Sequence, residues 1–206
     1  LTSAHAAPGT FLSMGVVMSA TQTLDWVARM TGLGAVPLAE AAEGFAATGR
    51  IADAPLFLPC LTGIRTPLNR PDATGRIEGL HPGVTPAMLG YATMEGVAFQ
   101  MVLCLEAQGA VGARAEQLAV VGGGSKSGLW LRLIASALRQ PVDLPDGAHI
   151  SGPAGAARLA AVAAGADVAT LGRRKPVLRT VPPDPSLSEV LAARYERFRA
   201  LLPAAG

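Results

Sequence analysis

The segment from Leu118 to Ser127 constrains the fold most, because a short apolar run leads there directly into three glycines and a helix cap. Leu118 to Val121 has the composition of a strand, and Gly122-Gly123-Gly124 predict a tight turn. Ser127 is a favourable N-cap for the helix that follows. In this geometry backbone N–H groups and the positive end of a helix face an anion or a nucleotide. A ligand contact and a plain β–α turn without ligand are both open at this point.

The glycine turn does not have the spacing of a P-loop. A P-loop needs a glycine directly before its lysine, whereas Ser125 precedes Lys126. Val120 stands where the first glycine of that motif belongs. We therefore reject a P-loop at this position.

A dinucleotide-binding fingerprint fits the turn better and stays a minor alternative. Gly122 and Gly124 follow a strand, and Asp143 ends the next predicted strand about 20 residues later, where a ribose-binding acid would lie. Ser127, however, occupies the position of the third glycine, whose missing side chain lets helix and strand pack closely. A long loop and two helices also precede the supposed first strand.

Predicted strands and helices alternate along the chain. Strands are expected at residues 11–19, 55–59, 118–121 and 141–144, and a long irregular loop at residues 62–86. Helices are expected at residues 21–30, around 38–45, at 85–108, 127–138, 152–164 and 186–202. Alternation without an internal repeat indicates an α/β architecture.

Several single residues carry structural predictions. Ser186 and Glu189 have the spacing of a capping box for the last helix. Glu95 lies among apolar positions of the long helix, so its carboxylate should find an arginine, a backbone amide or an exposed edge. Cys60 and Cys104 lack a metal-type spacing and are expected to be reduced core thiols of a cytosolic protein.

Composition and charge limit the classes of partner that this chain is expected to bind. Half of the 206 residues are apolar, which suits one domain over residues 1–206 with a sizeable core. The 17 basic and 15 acidic residues leave no excess charge that would attract nucleic acid or an anionic membrane. The apolar stretches are short, so no membrane-spanning segment is predicted. The chain starts with Leu1 instead of a methionine, and its first residues do not have the pattern of a signal peptide. We interpret this start as a cut edge, with protein missing upstream.

A series of short motifs occurs in a fixed order along the chain. They are His5–Gly9, Met14–Gly15, Phe57–Pro59, Gly63–Pro67, Gly79–Leu80, Glu95–Phe99, Gly122–Ser127 and Gly155–Ala157. Together they resemble the C-terminal half of the FGGY carbohydrate kinases. The Arg-Thr-Pro loop followed by a triple glycine is more similar to the xylulokinases than to glycerol or gluconate kinases.

This resemblance implies a fold and a role. The family is similar in fold to actin and hexokinase, with two ribonuclease-H-like domains that close on a cleft. This chain would be the C-terminal, actin-like ATPase domain and would bind ATP with Mg²⁺. An N-terminal kinase domain outside this chain would hold the sugar and the catalytic aspartate. The implied reaction transfers the γ-phosphoryl group of ATP to a ketopentose such as D-xylulose in the cytoplasm, and a homodimer is an open alternative for the assembly.

The same resemblance implies which residues contact the nucleotide. Gly123 would lie against the adenosine, Ser127 would touch the base, and Gly75 would approach the phosphates. Gly122 and Gly124 complete this set of candidate contacts. A glycine leaves room for backbone donors to reach phosphate oxygens. The resemblance assigns no catalytic or metal-binding residue to this chain.

Six positions depart from the family pattern. An expected glutamate is replaced by Ile64, an arginine by Tyr91, and a second glutamate by Ile150. In the helix after the triple glycine, the usual Arg, Gln and Asp are replaced by Leu131, Arg132 and Ser136. These losses keep a second hypothesis open, that of a divergent nucleotide-binding module without turnover.

Overall fold

The computed structural model describes residues 2–204 as alternating helices and short strands. Its α-helices are α1 (Ala20–Met30), α2 (Ala35–Ala47), α3 (Pro86–Gly109), α4 (Gly128–Leu138), α5 (Ser151–Ala163) and α6 (Pro185–Ala200). Its strands are β1 (Thr2–Ala4), β2 (Phe11–Ser13), β3 (Leu56–Leu58), β4 (Arg76–Glu78), β5 (Leu118–Ala119), β6 (Val142–Pro145) and β7 (Val177–Val181).

The strands form three small sheets. β1 pairs antiparallel with β2, and β3 pairs antiparallel with β4. The third sheet has the order β5-β6-β7, in which β5 and β6 are parallel and β7 is antiparallel to β6. The mixed helix and strand content confirms the predicted α/β architecture.

Helix α3 is the central element of the fold. Thr85 caps its first turn, because its hydroxyl accepts a 3.4 Å bond from the Met88 N–H, and Pro86 occupies the first helical position. Every residue from Gly90 to Gln100 is buried. Helices α1, α2 and α4 pack against it. The helix predicted at residues 85–108 is therefore confirmed.

Two glycines of α3 let its neighbours approach closely. A Cβ atom on Gly96 would lie 2.2 Å from the Phe57 carbonyl oxygen of β3. A Cβ atom on Gly90 would lie 2.9 Å from the Leu38 side chain of α2. Neither distance leaves room for a side chain, so the packing depends on these glycines.

The length and apolar composition of α3 would also suit a membrane-crossing helix, although no membrane-spanning segment was predicted from the sequence. In this fold 78% of its most apolar stretch is buried inside the protein. Its apolar surface is thus covered by other helices, as in a core helix.

A buried ion pair fixes α6 to α3. The Arg194 guanidinium donates to both carboxylate oxygens of Glu95, at 2.6 and 2.8 Å, and neither side chain is more than 5% exposed. Arg194 also donates to the carbonyls of Ala54 and Pro55, each at 3.2 Å. The Tyr91 hydroxyl donates to Glu95 at 3.2 Å. Burial raises the pKa of Glu95, and the bonds from Arg194 oppose that rise. Of the three surroundings predicted for Glu95, the structure confirms the arginine partner.

An aromatic cluster extends the contact between α3 and α6. The ring of Phe99 lies 5.3 Å from that of Tyr195 and 5.2 Å from that of Phe198, centroid to centroid. Tilted ring pairs at this distance are favourable beyond the area they bury. Helix α6, the last helix of the chain, is therefore part of the core.

The strand predicted at residues 11–19 is wrong beyond Ser13. β2 ends there, and all three of its residues are exposed. The Val16 N–H instead donates to the Thr66 hydroxyl at 2.9 Å, and the Thr66 N–H donates to the Val16 carbonyl at 3.3 Å. These loop contacts use the backbone groups that a longer strand would need for its ladder.

The predicted start of the last helix is also wrong. Asp184 is the N-cap of α6, and its carboxylate accepts a 3.1 Å bond from the Leu187 N–H. Pro185 fills the first helical position, where its fixed φ and missing N–H are suitable. Ser186 therefore lies inside the helix and does not form the predicted capping box with Glu189.

The loop predicted at residues 62–86 is only partly irregular. It contains β4, which pairs with β3 so that Ile77 lies opposite Phe57. The residues on either side of β4 stay outside helices and strands.

Candidate functional site

The glycine turn (Gly122–Gly124) connects β5 to α4 through a short 3-10 turn, Gly123–Lys126. The Gly122 N–H donates to the Ala148 carbonyl at 2.9 Å, which joins the turn to the segment before α5. The Gly122 carbonyl accepts bonds from the Ser125 N–H at 3.1 Å and from the Ser125 hydroxyl at 2.7 Å. Both backbone groups of Gly122 are thus bonded, so the turn has a defined shape.

The three glycines are needed for different reasons. Gly122 has a φ of 91°, which a residue with a side chain rarely adopts. A Cβ atom on Gly124 would lie 3.3 Å from the Trp130 ring. Gly123 has neither constraint, because it is exposed and a Cβ atom there would meet nothing within 4 Å. The open side of the turn, where a ligand has room, is therefore at Gly123.

Ser127 is the N-cap of α4, as predicted. Its hydroxyl accepts a 3.2 Å bond from the Trp130 N–H, one of the four N–H groups that a helix start leaves without an intrahelical partner. The Trp130 indole N–H donates to the Met94 carbonyl at 3.0 Å, which anchors the start of α4 to α3. The glycine turn is therefore held beside the positive end of a rigid helix.

Lys126 adds a positive charge at the turn. Its side chain is exposed, and among residues 2–204 it forms no ion pair. The same part of the chain holds no group of three or more His, Cys, Asp or Glu that could bind a metal. The electrostatics of the turn thus favour an anion.

Gly75 lies outside the turn, in the loop just before β4, and is exposed. A Cβ atom there would lie 3.0 Å from the Leu61 side chain. The loop closes on itself at Gly63, where φ is 89° and a Cβ atom would lie 2.8 Å from a carbonyl across the loop. In the same loop Arg70 and Asp72 form a 2.7 Å ion pair, and the hydrogen bond from Arg70 lowers the pKa of Asp72 to about 2.

The start of α1 connects the loop of Gly75 to the glycine turn. The hydroxyls of Thr62 and Ser19 lie 2.6 Å apart, within hydrogen-bonding distance. Two residues further on, the Thr21 methyl group would lie 3.7 Å from a Cβ atom on Gly124. Sequence reasoning missed Thr21 as a neighbour of the turn, because no local pattern indicates a contact between residues so far apart in the chain.

Four positions that depart from the family pattern lie in the interior. Ile64, Tyr91, Leu131 and Ser136 are at most 5% exposed. The Ser136 hydroxyl accepts a 3.1 Å bond from the Asp184 N–H, which ties α4 to the start of α6. These four side chains therefore lie in the packed interior and not at an open surface.

The other two departures lie nearer the surface. Arg132 forms a 3.0 Å ion pair with Glu43 of α2. Ile150 is 48% exposed and belongs to the 3-10 turn Ala148–Ile150, which packs against the glycine turn. Ile150 is therefore a departure from the family pattern that lies in the segment packed against the glycine turn.

Asp143, the ribose-binding acid of the dinucleotide alternative, is occupied by protein contacts. One carboxylate oxygen accepts a 2.5 Å bond from the Thr180 hydroxyl and the other a 2.5 Å bond from the Gln117 side chain. These hydrogen bonds lower the pKa of Asp143. Both oxygens are thus used to cross-link the β5-β6-β7 sheet.

Known proteins resemble this chain in sequence and in fold. The C-terminal domain of the FGGY family of carbohydrate kinases matches residues 1–164. The xylulose kinase of Escherichia coli (strain K12) is 34% identical over 199 residues, which are 96% of this chain and 41% of that protein. The xylulose kinase of Klebsiella pneumoniae is 36% identical over 174 residues, which are 84% of this chain and 35% of that protein.

A solved structure of a xyloylose kinase from Brucella ovis has a TM-score of 0.82 and 33% identity, and covers 98% of this chain and 41% of that chain. The predicted actin-like ATPase fold is therefore confirmed, and the dinucleotide-binding alternative is wrong. The chain spans about two fifths of the length of its first relative. The match over residues 1–164 shows that this chain belongs to the FGGY family of carbohydrate kinases, whose C-terminal domain it carries.

Proposed function

We propose that this chain forms the ATP-binding wall of a kinase that transfers the γ-phosphoryl group of ATP to a hydroxyl of a ketopentose such as D-xylulose. The observation that carries the proposal is the open side of the glycine turn at Gly123, beside the capped start of α4. The sugar is inferred from the names of the two relatives, both of which are xylulose kinases.

The geometry of the turn supports nucleotide binding. Cβ atoms on Gly122 and Gly123 would meet nothing within 4 Å, so a ligand can approach the backbone closely. The positive end of α4 and the ammonium of Lys126 favour a negative charge there. We assign Gly123 to the adenosine, Ser127 to the base and Gly75 to the phosphates.

The metal and the catalytic base need groups from elsewhere. When bound, ATP supplies the γ-phosphoryl group, and Mg²⁺ accompanies its phosphates. Residues 2–204 offer no cluster of three ligands for the ion, so we assign its other ligands to water, the phosphates and an N-terminal domain. We assign the base and the sugar contacts to that domain, in line with the share of the relatives that this chain covers.

Two thiols support a location in the cytoplasm. Cys60 and Cys104 are free and buried. Burial raises the pKa of Cys60 to about 11 and also raises the pKa of Cys104, so both are protonated and unreactive at neutral pH. Reduced cysteines without a disulfide are typical of reducing compartments.

A second candidate function is a divergent nucleotide-binding module without turnover. It is favoured by Ile150, an apolar residue that stands where the family carries a glutamate and belongs to the segment against the glycine turn. Loss of that carboxylate would leave the glycine turn intact, so binding could persist without catalysis.

Coupled ADP-release assays distinguish the sugar kinase from the nucleotide-binding module without turnover. The full-length protein is titrated with Mg-ATP and a panel of sugars that includes D-xylulose, and we expect sugar-dependent ADP release. ATP binding without turnover on any sugar would favour the second candidate. Turnover with other sugars but not with D-xylulose would overturn only the substrate assignment.

The chain of residues 1–206 alone should release no ADP in response to sugar. Phosphoryl transfer requires acceptor hydroxyl, Mg-ATP and base in line, and the positioning benefit, an effective molarity of order 10⁵ M or more, is lost without the other wall of the cleft. Sugar-dependent turnover by this chain, free of contaminating kinase, would contradict the assignment of the base to another domain.

A further inference from the structure

A large cleft lies on the β5-β6-β7 sheet, and its lining does not include the residues of the glycine turn. Its volume is about 950 Å³, and its walls are formed by strand residues, by α5 and by the segment 173–175. None of the residues from Gly122 to Ser127 lines it. The basic residues at its walls are Arg114, Arg158, Arg173, Arg174 and Lys175.

These five cations have no anionic partner within the part of the chain that the structure describes. The ion pairs among residues 2–204 all involve other residues. Arg158 donates to the Arg173 carbonyl at 2.9 Å, and Arg174 donates to the Gln117 side-chain oxygen at 2.5 Å. Both acceptors are neutral, so these hydrogen bonds do not compensate the charges of Arg158 and Arg174.

The cleft also contains two carboxylates, which do not neutralise it. Both oxygens of Asp143 are bonded to Thr180 and Gln117. Glu116 is exposed and forms no ion pair among the described residues. Counting these two against the five cations leaves an excess of three positive charges in one concave surface.

Clustered like charges repel one another, and an anion bound between them removes that cost. The volume lies within the range of small-molecule sites, about 300–1,000 Å³. Arginine side chains are suited to phosphate oxygens because their planar guanidinium can donate two parallel bonds. The chemistry of the cleft therefore matches a compact anion that carries several phosphate groups.

We propose that this cleft is a second anion site, which binds a small polyphosphate independently of the nucleotide site at the glycine turn. Three of its five cations, Arg173, Arg174 and Lys175, lie beyond the residues 1–164 that match the family. The segment 173–175 therefore supplies most of the basic side chains of the cleft, while the strands and α5 supply most of its walls. The cleft is bounded by the strands, by α5 and by the segment 173–175, and a bounded cleft of this volume suits a compact anion better than an extended nucleic acid.

Calorimetric titration of the chain with sodium tripolyphosphate tests the proposal. The test variant combines Arg114→Gln with Lys175→Gln, because neither side chain takes part in an ion pair in the described structure. We expect tripolyphosphate to bind the double variant about ten-fold more weakly, since two of five charges are removed, and to bind more weakly at high salt. The matched control is Arg29→Gln, an exposed arginine at the end of α1, which should leave the affinity unchanged.

Gly123→Asp separates this cleft from the nucleotide site. It should abolish ATP binding and retain tripolyphosphate binding, and if ATP fails to bind the unmodified chain, tripolyphosphate binding still tests the cleft. The proposal is overturned if tripolyphosphate does not bind the unmodified chain, if Arg29→Gln weakens it equally, or if Gly123→Asp removes both ligands. It is also overturned if a short single-stranded DNA binds the same residues more tightly than tripolyphosphate. Should the double variant fail to fold, each single substitution is expected to weaken binding by a smaller factor.

Discussion

Helices α3 and α5 both contain several glycines and alanines but have very different surroundings. Both are rich in small residues, yet α3 is buried on all sides from Gly90 to Gln100, whereas α5 has no buried residue. Glycines in α3 touch neighbouring backbone and side chains, while Gly155 in α5 meets nothing within 4 Å of an added Cβ atom. Small residues thus permit close packing in one helix and leave an open cleft beside the other.

This contrast separates stability from ligand binding. The core around α3 contains the ion pair between Glu95 and Arg194 of α6 and the hydrogen bond from Trp130 that anchors α4. These contacts stabilise the fold. The glycine turn and the face of α5 border open space, where ligands can enter. Substitutions near α3 should therefore change the free energy of unfolding, and those near the turn or α5 should change binding.

Arg194→Ala should have the largest effect on stability. It leaves the buried carboxylate of Glu95 without a charged partner, so we expect a loss of about 3–5 kcal/mol in the free energy of unfolding, measured by urea denaturation. The control is Arg50→Ala, which breaks a 2.7 Å pair with Asp53 in which the arginine is 76% exposed. That change should cost less than about 1 kcal/mol. Equal losses for the two variants would contradict the stabilising role of the buried pair.

Gly96→Ala should destabilise the fold by a smaller amount. The added methyl group would lie 2.2 Å from the Phe57 carbonyl oxygen, so α3 and β3 must move apart. We expect a loss of about 1–3 kcal/mol in the same urea experiment. A neutral result would show that β3 does not lie as close to α3 as the structure indicates.

Gly155→Ala tests the exposed helix α5 and should have the smallest effect. Unlike the two substitutions above, it should raise the free energy of unfolding. An alanine at this open position of α5 favours the helix, so we expect stabilisation by about 0.5–1 kcal/mol. Destabilisation by the alanine, seen as a lower urea midpoint, would mean that α5 packs tightly against another part of the protein.

Local signals in the sequence were sufficient for several parts of the fold and site. Ser127 was predicted as the cap of α4 because capping depends on residues within one turn. The helix predicted at residues 21–30 rests on the helical spacing of Leu24, Val27 and Ala28, and these three residues are buried in α1. Asp184 and Pro185 also form a local signal for the start of α6, which the prediction of a capping box at Ser186 overlooked.

Contacts between distant residues could not be predicted from such signals. Glu95 was expected to need a partner, but Arg194 lies 99 residues away and only the packing of α6 on α3 brings it close. The same limit applies to the basic cleft, which Arg114 and the segment 173–175 line together although they are distant in the chain. The strand at residues 14–19 failed because Thr66, from a distant loop, bonds to Val16.

The most direct test of the central claim is calorimetric titration of the chain with Mg-ATP, before and after Gly123→Asp. The substitution places a carboxylate in the open side of the turn, where a phosphate-bearing ligand approaches, and its Cβ atom would meet no protein atom within 4 Å. The control, Gly109→Asp, adds the same charge at another position with nothing within 4 Å, the far end of α3. We predict that ATP binds the unmodified chain and the control but not Gly123→Asp, which should unfold at a similar temperature. Unchanged ATP affinity in folded Gly123→Asp would contradict the assignment of the glycine turn to the nucleotide site.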